Sequence, residues 1–128
     1  MIYLDTSVAL AELLGEKKRP PLLFWAGPKV SSRLLEYEVL VRHHALRRPP
    51  KAIRIAQDFL TKVQLIDLDA SALGRALKPF PISVRTLDAI HLSTIVFLQG
   101  RGITLELATY DKRMAQAAAA IGISIAAV

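Results

Sequence analysis

Asp5, Asp88, Asp111 and one of the pair Glu36/Glu38 are the residues whose type and position suit them to chemistry. Asp5 follows the apolar run Ile2-Tyr3-Leu4 and leads Thr6-Ser7 into a helical stretch. Asp111 follows Leu107-Ala108-Thr109-Tyr110 and opens the last helix. An Asp between a strand and a helix is also a common N-cap, accepting a backbone N–H. The two roles are compatible, because one carboxylate oxygen can cap while the other binds a cation. Asp88 lies in Arg-Thr-Leu-Asp-Ala-Ile-His (85–91), within the most apolar helix of the chain. Asp is a poor helix-interior residue, and a buried carboxylate is costly unless paired or on a metal. Two structural alternatives stand beside the functional one. Asp88 could pair with Arg85, three residues earlier, or meet the helix dipole from the first turn if the helix starts near Ser83. Glu36 and Glu38 lie two apart in Ser-Ser-Arg-Leu-Leu-Glu-Tyr-Glu-Val (31–39) and point to roughly opposite helix faces. At most one faces a cleft, and periodicity does not choose between them.

The histidines point elsewhere. His91 is three residues past Asp88 and falls on the stripe Leu87, Ile90, Thr94, Leu98, so it reads as a satisfied core histidine in preference to a ligand. His43 and His44, beside Arg42, Arg47 and Arg48, read as a solvated basic face. Lys17, Lys18 and Arg19 read as a second basic cluster, in a loop. There is no Gly-rich phosphate loop, no G-x-S-x-G elbow and no zinc-type His spacing. Several acids without a protein nucleophile suit hard cations such as Mg²⁺ or Mn²⁺, which prefer oxygen ligands and keep waters. Such ions can activate water and stabilise in-line displacement at phosphorus. Clustered carboxylates need the cation in turn, because like charges at close range raise one another's pKa.

Short apolar runs alternate with amphipathic ones along the whole chain. Strands are expected at Ile2–Leu4, around Val30, at Val63–Leu68, at Leu105–Thr109 and at Ile123–Val128. Helices are expected at Ser7–Leu14, closed by Gly15, and at Arg33–Leu46, ended by Arg-Arg-Pro-Pro (47–50). Further helices are expected at Ala52–Lys62, Ser71–Lys78, Val84–Gln99 and Lys112–Ile121. The helix at 84–99 is apolar on nearly all sides and should be buried on more than one. This alternation predicts an α/β fold, a parallel sheet covered on both faces. Ligands of such sheets sit outside the carboxyl ends of the strands, where Asp5 and Asp111 fall.

Composition sets the outer bounds. A chain of 128 residues is one domain's length, so residues 1–128 are expected to form a single domain. The absence of cysteine excludes a disulfide framework, a thiolate metal site and a cysteine nucleophile. Seventeen Lys and Arg against eleven Asp and Glu leave a net charge of +6, which favours an anionic partner, nucleic acid first. The longest uncharged stretch, after Arg113, is shorter than the ~18 residues a spanning helix needs. Met-Ile-Tyr-Leu-Asp has no basic region ahead of an apolar one, so no secretory signal is expected. A soluble, cytoplasmic protein is the expectation.

Four segments together resemble PIN-domain proteins, most closely the VapC-type toxin ribonucleases. They are YLDTS (3–7), SSRLLEYEV (31–39), RTLDAIHLS (85–93) and ATYDKRMAQAA (108–118), in family order and near family spacing. The family pattern of Ser, one residue, Leu, three residues and Glu maps to Ser32, Leu34 and Glu38, and so selects Glu38 over Glu36. The resemblance implies a PIN-like three-layer α/β/α sandwich with a short, mainly parallel central sheet. It implies an endoribonuclease dependent on Mg²⁺ or Mn²⁺, with Asp5, Glu38, Asp88 and Asp111 as its acidic quartet. Asp5 and Asp88 would ligate directly, Glu38 and Asp111 directly or through water. Thr6, Ser7 and Thr109 would hydrogen-bond the acids, and Arg85 would contact RNA. A homodimer and a cognate antitoxin that blocks the cleft are implied as well. Tyr110, bulky between Thr109 and Asp111, departs from the pattern and could narrow or re-aim that corner. The alternatives are a PIN-fold nuclease of RNA processing or DNA, and a non-catalytic module that binds RNA or protein. A phospho-accepting receiver domain fits poorly: Asp5 stands alone early in the chain and Lys112 directly follows Asp111.

Overall fold

The computed structural model describes residues 1–128. Strand β1 (Ile2–Leu4) passes through Asp5 into helix α1 (Thr6–Leu13). Gly15 reverses the chain in the left-handed region at φ 65°, where a side chain would be strained. A 3₁₀ turn at Leu22–Ala26 precedes β2 (Lys29–Ser32), and α2 (Leu34–Ala45) follows. Pro49 and Pro50 stop the chain from continuing α2. They also start α3 (Pro50–Thr61), with Pro50 in the first turn, where a missing N–H does no harm. Next come β3 (Gln64–Ile66), α4 (Ala70–Leu73) and a 3₁₀ turn at Gly74–Leu77. The chain ends with α5 (Thr86–Gly100), β4 (Glu106–Ala108), α6 (Lys112–Ala120) and β5 (Ser124–Ile125).

The strands form one sheet in the order β3-β2-β1-β4-β5, and every pairing is parallel. The first strand is thus the central one. Successive strand residues point to opposite faces, and each face has its own core. Tyr3, Val30 and Leu107 pack with Leu92, Ile95 and Leu98 of α5 and Met114, Ala117 and Ala118 of α6. Leu4 and Ala108 pack with Val8 of α1, Leu35 and Val39 of α2, and Ala56 and Leu60 of α3. This is the expected three-layer α/β/α sandwich, with a sheet wholly and not just mainly parallel.

The structure corrects two local expectations. His43 is buried, not solvated: its Nδ1 lies 2.8 Å from the Val39 carbonyl oxygen one turn earlier. The helix expected at Ser71–Lys78 divides into α4 and a 3₁₀ turn. No helix is long and apolar enough to cross a membrane.

Candidate active site

Parallel pairing puts the carboxyl ends of β1, β2 and β4 side by side, and the acids gather at this end. Asp5 directly follows β1 and occupies the N-cap position of α1, yet its side chain caps no backbone N–H. Its Oδ2 instead accepts from the Ser7 hydroxyl at 2.6 Å and from the Thr109 hydroxyl at 2.7 Å. Thr109 also accepts the Asp111 backbone N–H at 3.0 Å, which ties the ends of β1 and β4 together. Asp5 is only 5% exposed, so these donors replace the water it has lost. Asp111 does cap α6: its Oδ1 accepts from the N–H groups of Arg113 and Met114.

Glu38 stands in the second turn of α2. Its Oε1 accepts from the Thr6 hydroxyl at 2.8 Å and lies 2.7 Å from His91 Nε2. Glu36 turns away and pairs with Arg33 at 3.0 Å. Asp88 lies in the first turn of α5, which begins at Thr86, so the helix-dipole alternative holds for its position. The alternative pairing with Arg85 does not occur: none of the ion pairs includes Asp5, Asp88 or Asp111. A first-turn position favours an ionised carboxyl. Even so, the Asp88 carboxyl is held above its ordinary value, first by burial and then by the charges of Asp5 and Asp111, with a smaller push from Glu38.

Glu38, Arg85, Thr86, Leu87, Asp88 and Asp111 line an open cleft of about 450 Å³. Asp5 does not line it but lies close enough to exert the strongest of the neighbouring charges on Asp88. Asp5, Glu38 and Asp111 each have one oxygen held by hydroxyl, imidazole or amide donors and the other free of any hydrogen bond within the chain. An all-oxygen donor set whose charges go uncompensated fits a hard divalent cation. No three acidic or imidazole groups close into a ready-made ligand set, so an ion held here would complete its coordination with water. Tyr110 leaves the cleft open. Its ring packs toward the core under α1 and α2, with the Lys18 ammonium 5.2 Å from the ring centre.

Thr6, Ser7 and Thr109 thus all bond site carboxylates, and Arg85 lines the cleft. Sequence reasoning missed the part played by His91. It is buried and satisfied, as expected of a core histidine, but its partner is Glu38. The only sequence signal was its place on the Asp88 face of the helix.

The family model described as PIN domain matches residues 2–120. Among curated proteins, Ribonuclease VapC46 of Mycobacterium tuberculosis is 35% identical over 130 residues, covering 98% of this chain and 96% of that protein. Ribonuclease VapC35 of the same species is 27% identical over 132 residues, with 99% and 96% covered. Ribonuclease VapC47 is 28% identical over 128 residues, with 95% and 93% covered. The order of the strands, the gathering of acids at their carboxyl ends and these matches lead to one conclusion: the chain belongs to the PIN-domain family.

Proposed function

We propose that this protein is a divalent-metal-dependent endoribonuclease, the toxin of a toxin–antitoxin pair, which hydrolyses RNA phosphodiester bonds. The observation that carries this reading is the convergence of carboxylates from four distant segments, three lining one cleft and Asp5 close beside it, with no cation of the chain to neutralise Asp5, Asp88 or Asp111. The ribonuclease names of the relatives support it. The net charge of +6 supports a polyanionic substrate that the acidic cleft alone would repel.

In this reading Asp5, Glu38, Asp88 and Asp111 are both the catalytic acids and the metal ligands. A bound Mg²⁺ or Mn²⁺ would supply a Lewis acid and a water of lowered pKa. The chain's own work is to hold the carboxylates. Ser7 and Thr109 fix Asp5, Thr6 fixes Glu38, and the start of α6 fixes Asp111, leaving one oxygen of each without a hydrogen bond in the chain. Arg85, on the cleft wall, contacts an RNA phosphate. Residues 1–128 act as one domain, in the cytoplasm, as a homodimer held in check by a cognate antitoxin. These last assignments rest on family membership.

The test is cleavage of end-labelled RNA by the purified protein in Mg²⁺ or Mn²⁺, with EDTA, Asp5→Asn and Asp88→Asn as controls. Cleavage should vanish in EDTA and in both variants while their circular dichroism stays native. Cleavage that survives EDTA or either substitution refutes the reading. A non-catalytic binding module predicts no cleavage by the wild type and no stabilisation by divalent ions.

A further inference from the structure

Two histidines of the chain are fully buried, and they are bonded differently. His43 makes a bond internal to its own helix, Nδ1 to the Val39 carbonyl, as a structural histidine does. His91 instead joins three elements remote in sequence. Its Nε2 lies 2.7 Å from Glu38 Oε1 on α2, and its Nδ1 lies 2.7 Å from the hydroxyl of Tyr3 on β1. Histidine and tyrosine are 1% and 0% exposed. A carboxylate only accepts hydrogen bonds, so Nε2 is the donor. Tyr3 holds the ring from the other side in an edge-on packing, 5.7 Å between centres and 81° between planes. The Tyr3 oxygen is anchored in turn by the backbone N–H of Ser32 at 3.0 Å. From Ser32 to Glu38 the network runs through the interior and surfaces only at the carboxylate, which is 21% exposed.

We infer that His91, braced by Tyr3, is the positioning residue that sets the Glu38 carboxylate for the metal, an assignment that rests on the function proposed above. Glu38 has three side-chain torsions, and a free glutamate on a helix samples many rotamers. Thr6 and His91 both bond Oε1, so the carboxylate is fixed with Oε2 left over. Thr6 alone, on a single rotatable hydroxyl, sets a direction less firmly than a ring clamped at both nitrogens. A residue of this kind does not touch substrate; it keeps a ligand's rotamer from having to be frozen when the ion arrives. Spending a buried imidazole on an acid of the cleft distinguishes His91 from His43.

The experiment measures Mn²⁺ affinity by calorimetry, and thermal stability in EDTA, for the wild type, His91→Leu, His91→Gln and Tyr3→Phe. Leu fills the space without a donor, and Gln restores an N–H near the Nε2 position. Tyr3→Phe keeps the buried ring and removes the brace, at the cost of the Ser32 N–H bond, which the melting temperature in EDTA registers separately. His91→Leu should bind Mn²⁺ roughly 10- to 100-fold more weakly, the usual effect of losing a group that orients a metal ligand. His91→Gln should recover most of that loss, and Tyr3→Phe should fall between Leu and wild type. RNA cleavage should follow the Mn²⁺ affinities and not the melting temperatures. If His91→Leu does not fold, the comparison of Tyr3→Phe and His91→Gln with wild type decides. Wild-type Mn²⁺ affinity in His91→Leu, no recovery in a folded His91→Gln, or wild-type affinity in Tyr3→Phe overturns the assignment and leaves the proposed nuclease standing. A wild-type protein that binds no Mn²⁺ overturns both.

Discussion

Thr109→Val is the sharpest single perturbation of the way the site is held together. Valine keeps the volume and branching of threonine, so no cavity opens at this residue, which is 8% exposed. Two short hydrogen bonds disappear, the hydroxyl's donation to Asp5 Oδ2 at 2.7 Å and its acceptance of the Asp111 N–H at 3.0 Å, together with a longer contact of 3.4 Å to the Ser7 hydroxyl. A hydrogen bond to a charged group contributes about 1.5–3 kcal/mol, and an orphaned buried donor costs about 1–3 kcal/mol. Ser7 still donates to Asp5 Oδ2 at 2.6 Å and makes up part of the loss. The expected destabilisation is therefore about 2–4 kcal/mol, a large share of the ~5–15 kcal/mol that holds a domain of this kind folded. Urea unfolding in EDTA, followed by circular dichroism, measures it, with Thr109→Ser as the control that keeps both bonds. The serine variant should lie within about 1 kcal/mol of wild type. RNA cleavage by the valine variant should fall as well, because Asp5 loses one of its two tethers. A valine variant as stable and active as wild type would refute the idea that this hydroxyl holds the two aspartates in register.

Two further predictions concern what the site costs the fold. Because burial and the charges of Asp5 and Asp111 raise the Asp88 carboxyl pKa in the folded protein, folding favours the protonated form. The ionised group therefore destabilises the protein fully above its folded pKa and ceases to do so as pH falls below the unfolded value. In EDTA at neutral pH, Asp88→Asn should melt above wild type, with the gap closing toward acid pH. Saturating Mn²⁺ should reverse the order, because only the wild type gains from binding. Calorimetric scans across pH read both effects, and a variant that melts below wild type in EDTA at pH 7 counts against the raised pKa. The Tyr110 hydroxyl is buried without a hydrogen-bond partner. Tyr110→Phe should thus raise stability by about 1 kcal/mol, measured by urea unfolding, and a loss would show that the hydroxyl has a partner in solution.

Much of this architecture was readable from local pattern. The run Ile2–Leu4 is the observed β1, and the alternation of apolar strands with amphipathic helices fixes a parallel sheet because both faces must be covered. The edge strand β5 is shorter than the expected Ile123–Val128, and only Ser124 and Ile125 pair with β4, opposite Glu106 and Leu107. The 3₁₀ turn at Leu22–Ala26 has no periodicity to betray it. His43 was misread because its neighbours are basic. Leu35, Val39 and His43 recur every four residues on the buried face of α2, and that spacing held the correct answer. The choice of Glu38 over Glu36 came from resemblance alone, and the pairing of Glu36 with Arg33 supplies its physical counterpart. What no local pattern could give is the role of His91. Its partners lie 88 and 53 residues away, and their meeting depends on three elements docking at once.

The central position of β1 also governs how this chain is born. The strand leaves the ribosome before its partners, yet it needs β2 on one side and β4 on the other, and the Thr109 that ties down Asp5 follows 104 residues later. Contacts of such long range form late and slowly. A nascent chain that has already exposed Asp5 and Glu38 therefore has no assembled cleft, and a stalled or truncated product never acquires one. For a protein proposed to cut RNA, this delays the hazard of its own synthesis until β4 and Thr109 have emerged.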